Sequence, residues 1–250
     1  MTPVHGPLAL ARLVREARRT VVLSGAGVST ESGIPDFRSS AGLWATADPM
    51  RFATQEGFLR DPVAFYAFWR EHLGGLTDVR PNVTHEVVAL LERDGRVSAV
   101  ITQNIDGLHQ AAGSRNVHEV HGTFRTVRCL ECGMREPSTR AFSIIGRAPR
   151  CRVCGGLLRP DVVLFGEMLG PVFEEATEDL RRGDMLLVLG SSLGVAPVAD
   201  LVPLAVERGM PVAIVNRDPT PFDDDVALVL HRELGSTMRA LAAELDLRRD

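Results

Sequence analysis

Four cysteines in two Cys-x-x-Cys pairs have the spacing in this sequence that most clearly indicates chemistry. Cys129 and Cys132 form the first pair, Cys151 and Cys154 form the second, and residues 133–150 separate them. Two such pairs supply four thiolates in a tetrahedral array, and this spacing falls within the zinc-ribbon pattern. The alternatives are disulfides, which the lack of an export signal disfavours, and unrelated structural thiols. Because four sulfur ligands leave zinc no open position, the predicted site is structural, and a metallohydrolase is disfavoured.

A glycine-rich segment, Gly25-Ala26-Gly27-Val28-Ser29-Thr30, directly follows the apolar run Val21-Val22-Leu23. Glycines after a strand let the backbone approach a pyrophosphate, and the end of the following helix offers free N–H groups. A tight strand-to-helix turn without a ligand is the alternative that this segment alone leaves open. Thr30 stands where the dinucleotide fingerprint has its third glycine, and no acidic residue follows a second strand at the expected distance. A hydride-transferring dehydrogenase is therefore disfavoured.

Two further polar groups follow apolar runs. Gln103-Asn104-Ile105-Asp106 comes shortly after one run, and His121 directly follows another. Asparagine and aspartate in such a place can hydrogen-bond ribose hydroxyls and a carboxamide, and a histidine can remove a proton near neutral pH. The alternative is that Asn104 and Asp106 cap a helix and that His121 is a hydrogen-bonded core residue.

Short apolar runs alternate with helix-length segments, which predicts an α/β fold with a doubly wound parallel sheet. The runs are continuous, as in strands that helices cover on both faces. One helix is predicted from an N-cap at Thr84 to Gly95, and another from Pro171 to Gly183. Because ligands bind beyond the carboxyl ends of such strands, the polar groups should line one crevice. The predicted strands are 21–23, 99–101, 117–120, 162–164, 185–189, 212–215 and 226–230.

Two segments interrupt this alternation. Residues 37–80 carry aromatic, helix-like sequence, and residues 126–158 hold all four cysteines and few apolar residues. Both are predicted to be inserts that together form a small second lobe. Arginines are frequent between residues 125 and 159, so a zinc-ribbon module that binds nucleic acid is an alternative. Such a charged run is more often a solvated face, and nucleic acid is not an expected partner.

Composition limits the remaining classes. The net charge is −4, and all 28 basic residues are arginine. The absence of lysine excludes a lysine Schiff base and a P-loop. No apolar run reaches the roughly 18 residues that span a bilayer, so no membrane contact is expected. Residues 1–20 have the pattern of an amphipathic helix rather than a secretory signal, so the expected location is cytoplasmic.

Several motifs together resemble the signature of the sirtuin family. They are GAGVSTESGIPDFR from Gly25, TQNIDGLH from Thr102, VHEVHGT from Val117, the two CxxC pairs, VVLFGE from Val162 and GSSLGVAP from Gly190. The resemblance covers nearly the whole chain. It implies a Rossmann-like NAD-binding domain made of residues 1–36, 81–125 and 159–250. The small lobe would hold the helical insert 37–80 and the zinc ribbon 126–158.

The resemblance also implies a role for individual residues. Asn104 would order the nicotinamide ribose, Asp106 would hold the carboxamide, and His121 would be the general base. Val163, Phe165, Gly166 and Val195 would flank an acyl-lysine peptide that adds as a strand between the lobes. The residues expected to contact NAD are Gly25, Ala26, Gly27, Thr30, Asp36, Phe37, Arg38, Trp44, Gln103, Asn104, Ile105, Asp106, Gly190, Ser191, Ser192, Asn216, Arg217, Asp218 and Leu234.

The activity that the resemblance implies is NAD-dependent deacylation of protein lysine, with acetyl as the first choice of acyl group. The amide oxygen would attack the anomeric carbon as nicotinamide leaves, and His121 would then deprotonate a ribose hydroxyl. The products would be free lysine, nicotinamide and O-acyl-ADP-ribose. A protein ADP-ribosyltransferase that uses the same NAD site is the nearest alternative.

One departure from the family pattern concerns the acyl group. Members that prefer succinyl or malonyl groups carry Tyr-x-x-Arg in the helical insert, whereas this sequence has Trp69 three residues after Tyr66 and Arg70 one position later. A shift of one residue rotates a side chain by about 100° around a helix, so Arg70 should point elsewhere. The pattern therefore favours neutral acyl groups. The alternative is that Trp69 only packs in the core.

Overall fold

A computed structural model describes residues 6–40, 42–73 and 79–248 of the chain. Residues 1–5 of the predicted N-terminal helix, and residues 41 and 74–78 of the predicted helical insert, lie outside the described residues. The strands are β1 (Thr20–Ser24), β2 (Val97–Thr102), β3 (Val117–Glu119), β4 (Gly122–Cys129), β5 (Arg135–Pro137), β6 (Leu158–Val162), β7 (Met185–Leu189), β8 (Val212–Val215) and β9 (Leu228–Leu230).

Helices connect these strands, and within the described ranges none has both the length and the apolarity to cross a bilayer. Short 3-10 helices cover Ala26–Ser32, Leu43–Ala45 and Asp223–Asp225. The α-helices are α1 (Pro7–Glu16), α2 (Pro49–Phe52), α3 (Gln55–Arg60), α4 (Pro62–Leu73), α5 (Val83–Arg93), α6 (Leu108–Ala111), α7 (Thr139–Ser143), α8 (Pro171–Arg182), α9 (Leu201–Glu207) and α10 (Leu234–Glu244).

The larger sheet has six parallel strands in the order β3-β2-β1-β7-β8-β9. Because side chains alternate along a strand, Val22 of β1 packs in the cluster with α1, α5 and α10, while Val21 and Leu23 pack in the cluster with α8 and α9. The predicted doubly wound α/β fold is confirmed. The strand order reverses between β1 and β7, and the carboxyl ends of these two strands mark the switch point where such sheets bind ligands.

A smaller antiparallel sheet, in the order β5-β4-β6, packs against the aromatic helices α2–α4. The prediction of a parallel-sheet strand at residues 162–164 is wrong, because β6 ends at Val162 and pairs with β4 in this smaller sheet. A short apolar run indicates a buried strand but does not identify the strand's partner. The residue boundaries predicted for the two lobes stay a prediction.

Helix α5 begins at a different residue from the one predicted. The side-chain oxygen of Asn82, not that of Thr84, caps the helix by accepting a hydrogen bond from the backbone N–H of Thr84 at 2.9 Å. The amide nitrogen of Asn82 also donates to the carbonyl of Val28 at 2.8 Å and to Ser32 Oγ at 2.9 Å. Asn82 therefore joins the start of α5 to the segment after β1. Thr84 Oγ1 is buried and finds no hydrogen-bond partner among the described residues.

We predict that Asn82→Ala lowers the free energy of unfolding by about 1–2 kcal/mol, the usual loss for a helix cap. Thr84→Val is the matched control, because it removes only an unpaired buried hydroxyl and should change stability by less than about 0.5 kcal/mol. Urea unfolding followed by circular dichroism measures both. A larger loss for Thr84→Val than for Asn82→Ala would contradict the capping assignment.

Candidate active site

A cavity of about 590 Å³ lies at the carboxyl ends of the parallel strands. Val163, Phe165, Gly166 and Val195, the predicted peptide neighbours, line it together with His121. The predicted convergence of strand-end residues on one crevice is therefore present. The predicted NAD contacts that line the cavity are Ala26, Gly27, Thr30, Asp36, Phe37, Arg38, Trp44, Gln103, Asn104, Ile105, Gly190, Ser191, Ser192, Asn216, Arg217, Asp218 and Leu234.

The glycines of the β1 and β7 loops pack closely against each other. A Cβ on Gly25 would lie 2.8 Å from the Gly190 carbonyl oxygen, and one on Gly27 would lie 2.9 Å from the Gly190 Cα. The N–H of Gly27 donates to that same carbonyl at 2.9 Å. Gly25 itself does not line the cavity. These glycines therefore bring two backbone segments into contact, and the approach of this loop to a pyrophosphate stays a prediction.

His121 has a defined tautomer. Its Nδ1 lies 3.1 Å from the backbone carbonyl of Gln103, and because a carbonyl only accepts, Nδ1 carries the proton. Nε2 is then unprotonated and finds no hydrogen-bond partner within the described residues. Burial lowers the pKa of His121 below its ordinary value, and the hydrogen bond to Gln103 offsets part of that effect. His121 is thus a neutral imidazole with a free lone pair, as a general base requires.

Asn104 carries an acceptor without a partner. Its side-chain nitrogen donates to Ser29 Oγ at 3.1 Å, which fixes the orientation of the amide. Its Oδ1 is buried and has no hydrogen-bond partner among the described residues, although Asn104 lines the cavity. Buried acceptors are rarely left unpaired, so this oxygen fits a hydroxyl donor supplied by a ligand. A ribose hydroxyl is such a donor, and the site fits NAD in this respect.

Asp106 does not line the cavity, in contrast to most of the predicted NAD contacts. Its Oδ2 accepts a hydrogen bond from the hydroxyl of Ser29 at 2.7 Å, and its Oδ1 accepts one from the backbone N–H of Leu108 at 2.9 Å. The second contact is a hydrogen bond from the first residue of α6, whose N-cap is Gly107. Asp106 therefore supports Ser29 and, through it, the orientation of Asn104.

Two histidines lie behind this polar group, and the sequence analysis assigned neither of them a role. His85 lies 3.5 Å from Ser29 Oγ, and His109 lies 2.9 Å from Ser24 Oγ. Burial lowers the pKa of His85 to about 4 and that of His109 to about 3, so both are neutral at physiological pH. His85 stands within an ordinary helix pattern and its serine partner is 56 positions away, so no local signal indicates the contact.

Aromatic side chains form the small-lobe side of the cavity. We call Phe37, Trp44, Phe68, Trp69 and Phe124 the aromatic wall. Trp44 stacks on Phe37 with ring centroids 5.7 Å apart, and Trp69 packs against Phe124 at 5.0 Å. Four members of the wall line the cavity, and Phe68 stacks behind Trp44 at 6.2 Å. Phe124 was not predicted as a site residue, because it lies in a strand of the small sheet that the sequence analysis missed.

Three polar side chains near the aromatic wall donate to backbone carbonyls. The indole N–H of Trp69 donates to Phe52 at 2.8 Å, and the hydroxyl of Tyr66 donates to Leu158 at 3.0 Å. The guanidinium of Arg70 donates to Phe142 at 2.7 Å and to Ile144 at 2.5 Å. The prediction that Arg70 points elsewhere is consistent with these contacts. Arg70 does not line the cavity, whereas Trp69 does.

The four cysteines come together at one end of the small lobe. Their sulfur atoms all lie within 4.8 Å of one another, with Cys129 and Cys154 3.5 Å apart and Cys132 and Cys151 3.8 Å apart. Tetrahedral zinc with Zn–S bonds of about 2.3 Å requires sulfur separations of about 3.8 Å, so the group fits a zinc ion. Backbone N–H groups lie 3.3 Å from the Cys151 sulfur and 3.4 Å from the Cys154 sulfur, as suits thiolates.

Comparisons with known proteins agree with this geometry. The model of the Sir2 family matches residues 25–197. The NAD-dependent protein deacetylase of Chromobacterium violaceum is 44% identical over 94% of this chain and 96% of its own length. The NAD-dependent protein deacetylase of Sulfurisphaera tokodaii is 45% identical over 86% of each chain. A solved Sir2 complex with a deacetylated p53 peptide and 3′-O-acetyl ADP ribose is 36% identical and superposes with a TM-score of 0.93 over 98% of this chain and 100% of its own.

We predict that the purified protein binds about one zinc ion per chain and that replacing Cys151 and Cys154 together by serine removes it. The small lobe should then lose structure, because a four-thiolate zinc site contributes directly to folding. Val153→Ser is the matched control, since Val153 lies exposed in the same loop and is not a ligand. Elemental analysis and near-UV circular dichroism measure both effects. Zinc retained at full occupancy in the double variant would contradict the assignment.

Proposed function

Because the chain belongs to the Sir2 family, we propose that this cavity carries out its NAD-dependent protein deacetylase activity with His121 as the general base. The reaction removes the acyl group of a protein lysine, transfers it to ADP-ribose and releases nicotinamide. The observation that carries the residue assignment is that two residues lining the same cavity each have a hydrogen-bond acceptor without a partner in the described part of the chain. These are the unprotonated Nε2 of His121 and the partnerless Oδ1 of Asn104.

The two acceptors suit a ribose that carries adjacent hydroxyls. Asn104 would hold one hydroxyl through its Oδ1, and His121 would remove a proton from another through Nε2. An amide is a poor electrophile by itself. Bound NAD would supply an electrophilic sugar carbon, which the amide oxygen can attack. The chain's own residues supply orientation, proton removal and exclusion of water, the last through the aromatic wall. The contact of Asp106 with the carboxamide stays a prediction, and the carboxylate retains about two of its four lone-pair sites for it.

The aromatic wall favours a neutral acyl group. A carboxylate on a succinyl or malonyl group would have to leave water for an apolar surface, which costs several kcal/mol per ion unless a cation pairs with it. Arg70 is the nearest cation in sequence to Trp69, and its guanidinium is held by two backbone carbonyls. We therefore propose that acetyl-lysine is the preferred substrate and that short aliphatic acyl groups are accepted.

Two further proposals concern the binding partners of the protein and its location in the cell. Several arginines of the zinc insert pair with carboxylates, including Arg128 and Arg135 with Asp161 and Arg140 with Glu136. These pairs support a solvated protein face rather than a nucleic-acid surface. We also propose that the chain acts in the cytoplasm, where four cysteines stay reduced and can bind zinc.

We predict that His121→Ala lowers deacetylation by about 10²–10⁴-fold, the usual contribution of a general base. His72→Ala is the matched control, because His72 does not line the cavity and lies on α4. Mass spectrometry of O-acetyl-ADP-ribose measures turnover, and zinc content and circular dichroism check the fold. Near-normal turnover by His121→Ala would remove the residue from its role. Label from NAD that stays on protein would instead favour ADP-ribosylation.

The acyl preference has its own test. We predict that the wild-type enzyme turns over an acetyl-lysine peptide at least about 10-fold faster than the matched succinyl peptide, because the carboxylate would have to leave water for aromatic rings and Arg70 is already held by two backbone carbonyls. In the Trp69→Arg variant the ratio should fall, since the new guanidinium can pair with the succinyl carboxylate. Trp69→Phe is the control that keeps an apolar wall and should keep the preference. Faster turnover of the succinyl peptide by the wild type would contradict the proposal.

A further inference from the structure

An ion pair joins the buried Arg159 to Glu167, which is partly exposed and lines the cavity, and this pair has no part in the chemistry described above. The side chain of Arg159 is 2% exposed, and its two terminal nitrogens donate to the two carboxylate oxygens of Glu167 at 2.6 and 2.8 Å. This bidentate arrangement is the most directional form of the Arg–carboxylate contact. The hydrogen bonds from Arg159 lower the pKa of Glu167, although burial opposes that effect.

The ion pair also holds the backbone between Arg159 and Glu167 at two places. One terminal nitrogen of Arg159 also donates to the carbonyl of Val162 at 2.8 Å, and Glu167 Oε2 accepts the backbone N–H of Leu164 at 2.9 Å. The backbone N–H of Glu167 donates in turn to the carbonyl of Leu164 at 3.0 Å. Residues 162–167 are thus closed into one defined shape by contacts that converge on Arg159 and Glu167.

This segment forms part of the cavity wall and is hydrogen-bonded to two other parts of the chain. The backbone N–H of Val163 donates to the carbonyl of His121 at 2.8 Å. The backbone N–H of Phe165 donates to the carbonyl of Ala53, which follows α2, at 2.7 Å. Val163, Phe165 and Gly166 line the cavity, and the side chain of Phe165 is 42% exposed. A change in the shape of the segment would therefore move the cavity wall next to the proposed base.

Stability alone is a weak reason for such a pair. Removing two charges from water is costly, and well-packed apolar side chains of similar volume often stabilise a fold as well as a buried ion pair does. What an apolar pair does not provide is the directional hydrogen bonding to Val162 and Leu164. The charged groups therefore contribute geometry, and that geometry lies in the wall of the cavity.

We propose that Arg159 and Glu167 are positioning residues that hold residues 163–166 in the shape required to bind the acyl-lysine peptide. The inference rests on the proposed function, in which this segment flanks the peptide. Neither residue contacts the reacting atoms in this proposal. They act through the backbone of the segment, and their loss should weaken peptide binding while leaving the far end of the cavity, proposed to bind NAD, unchanged.

The test replaces the pair in two ways. Glu167→Gln keeps the shape but removes one charge, and the double variant Arg159→Met with Glu167→Leu replaces the pair by apolar groups that should preserve folding. In the double variant we expect the KM for an acetyl-lysine peptide to rise at least about 10-fold, while the KM for NAD stays within about 2-fold. Glu167→Gln should shift the peptide KM in the same direction if it folds.

Controls separate positioning from general weakening of the small lobe. Glu136→Gln breaks another partly buried pair in the same lobe, with Arg140, and should leave both KM values unchanged. Zinc content and thermal unfolding confirm that each variant is folded. A folded double variant with a wild-type peptide KM would overturn the proposal, and so would equal rises in the KM for peptide and for NAD. If the wild-type enzyme did not deacetylate the peptide, the proposed function would fail. The affinity of each variant for a fluorescently labelled acetyl-lysine peptide would still test whether the ion pair positions the segment.

Discussion

The close contact between the loops that follow β1 and β7 is the constraint on which the site depends. Gly25 and Gly27 approach Gly190 so closely that a side chain on any of them would collide with backbone atoms at 2.6–2.9 Å. These loops leave the two central strands at the point where the strand order reverses. The contact therefore joins the two loops that lie on either side of the switch point. The glycines thus act on the protein's own backbone, and Gly27 and Gly190 also line the cavity.

Burial then decides the protonation states near the cavity. His85 and His109 stay neutral because the surrounding apolar atoms disfavour a charged imidazole, and the same effect lowers the pKa of His121. A neutral His85 can donate to Ser29, which leaves the serine hydroxyl to donate to Asp106. The orientation of Asn104 follows from this chain of hydrogen bonds. The partnerless Oδ1 of Asn104 is therefore one end of a polar network that extends into the interior through Ser29 and His85.

The fold and the cavity lining were predictable from sequence wherever the signal is local. Continuous apolar runs identify β1, β7 and β8, and the motifs at their ends identify most lining residues. The small sheet was missed because β4 alternates polar and apolar residues in an arginine-rich insert. The strand predicted at residues 162–164 was assigned to the parallel sheet because an apolar run carries no information about its partner. The cap at Asn82, the role of His85 and the pairing of Arg159 with Glu167 depend on contacts between elements. Local sequence contains the residues for such contacts but not their geometry.

The small lobe combines three kinds of interaction, because no one of them could form it. The aromatic wall and its neighbours form one apolar core that also includes Cys129 and Cys151, and the four cysteines together can hold a zinc ion. Residues 162–167 lie where the small sheet meets the parallel sheet, and Val162 and Leu164 of this segment belong to the same apolar core. A hydrophobic contact there would leave the backbone free to slide, because apolar packing is not directional. The bidentate hydrogen bonds between Arg159 and Glu167 add direction to that packing, together with the backbone hydrogen bonds of Val163 and Phe165, so the segment has a defined shape at the edge of the cavity.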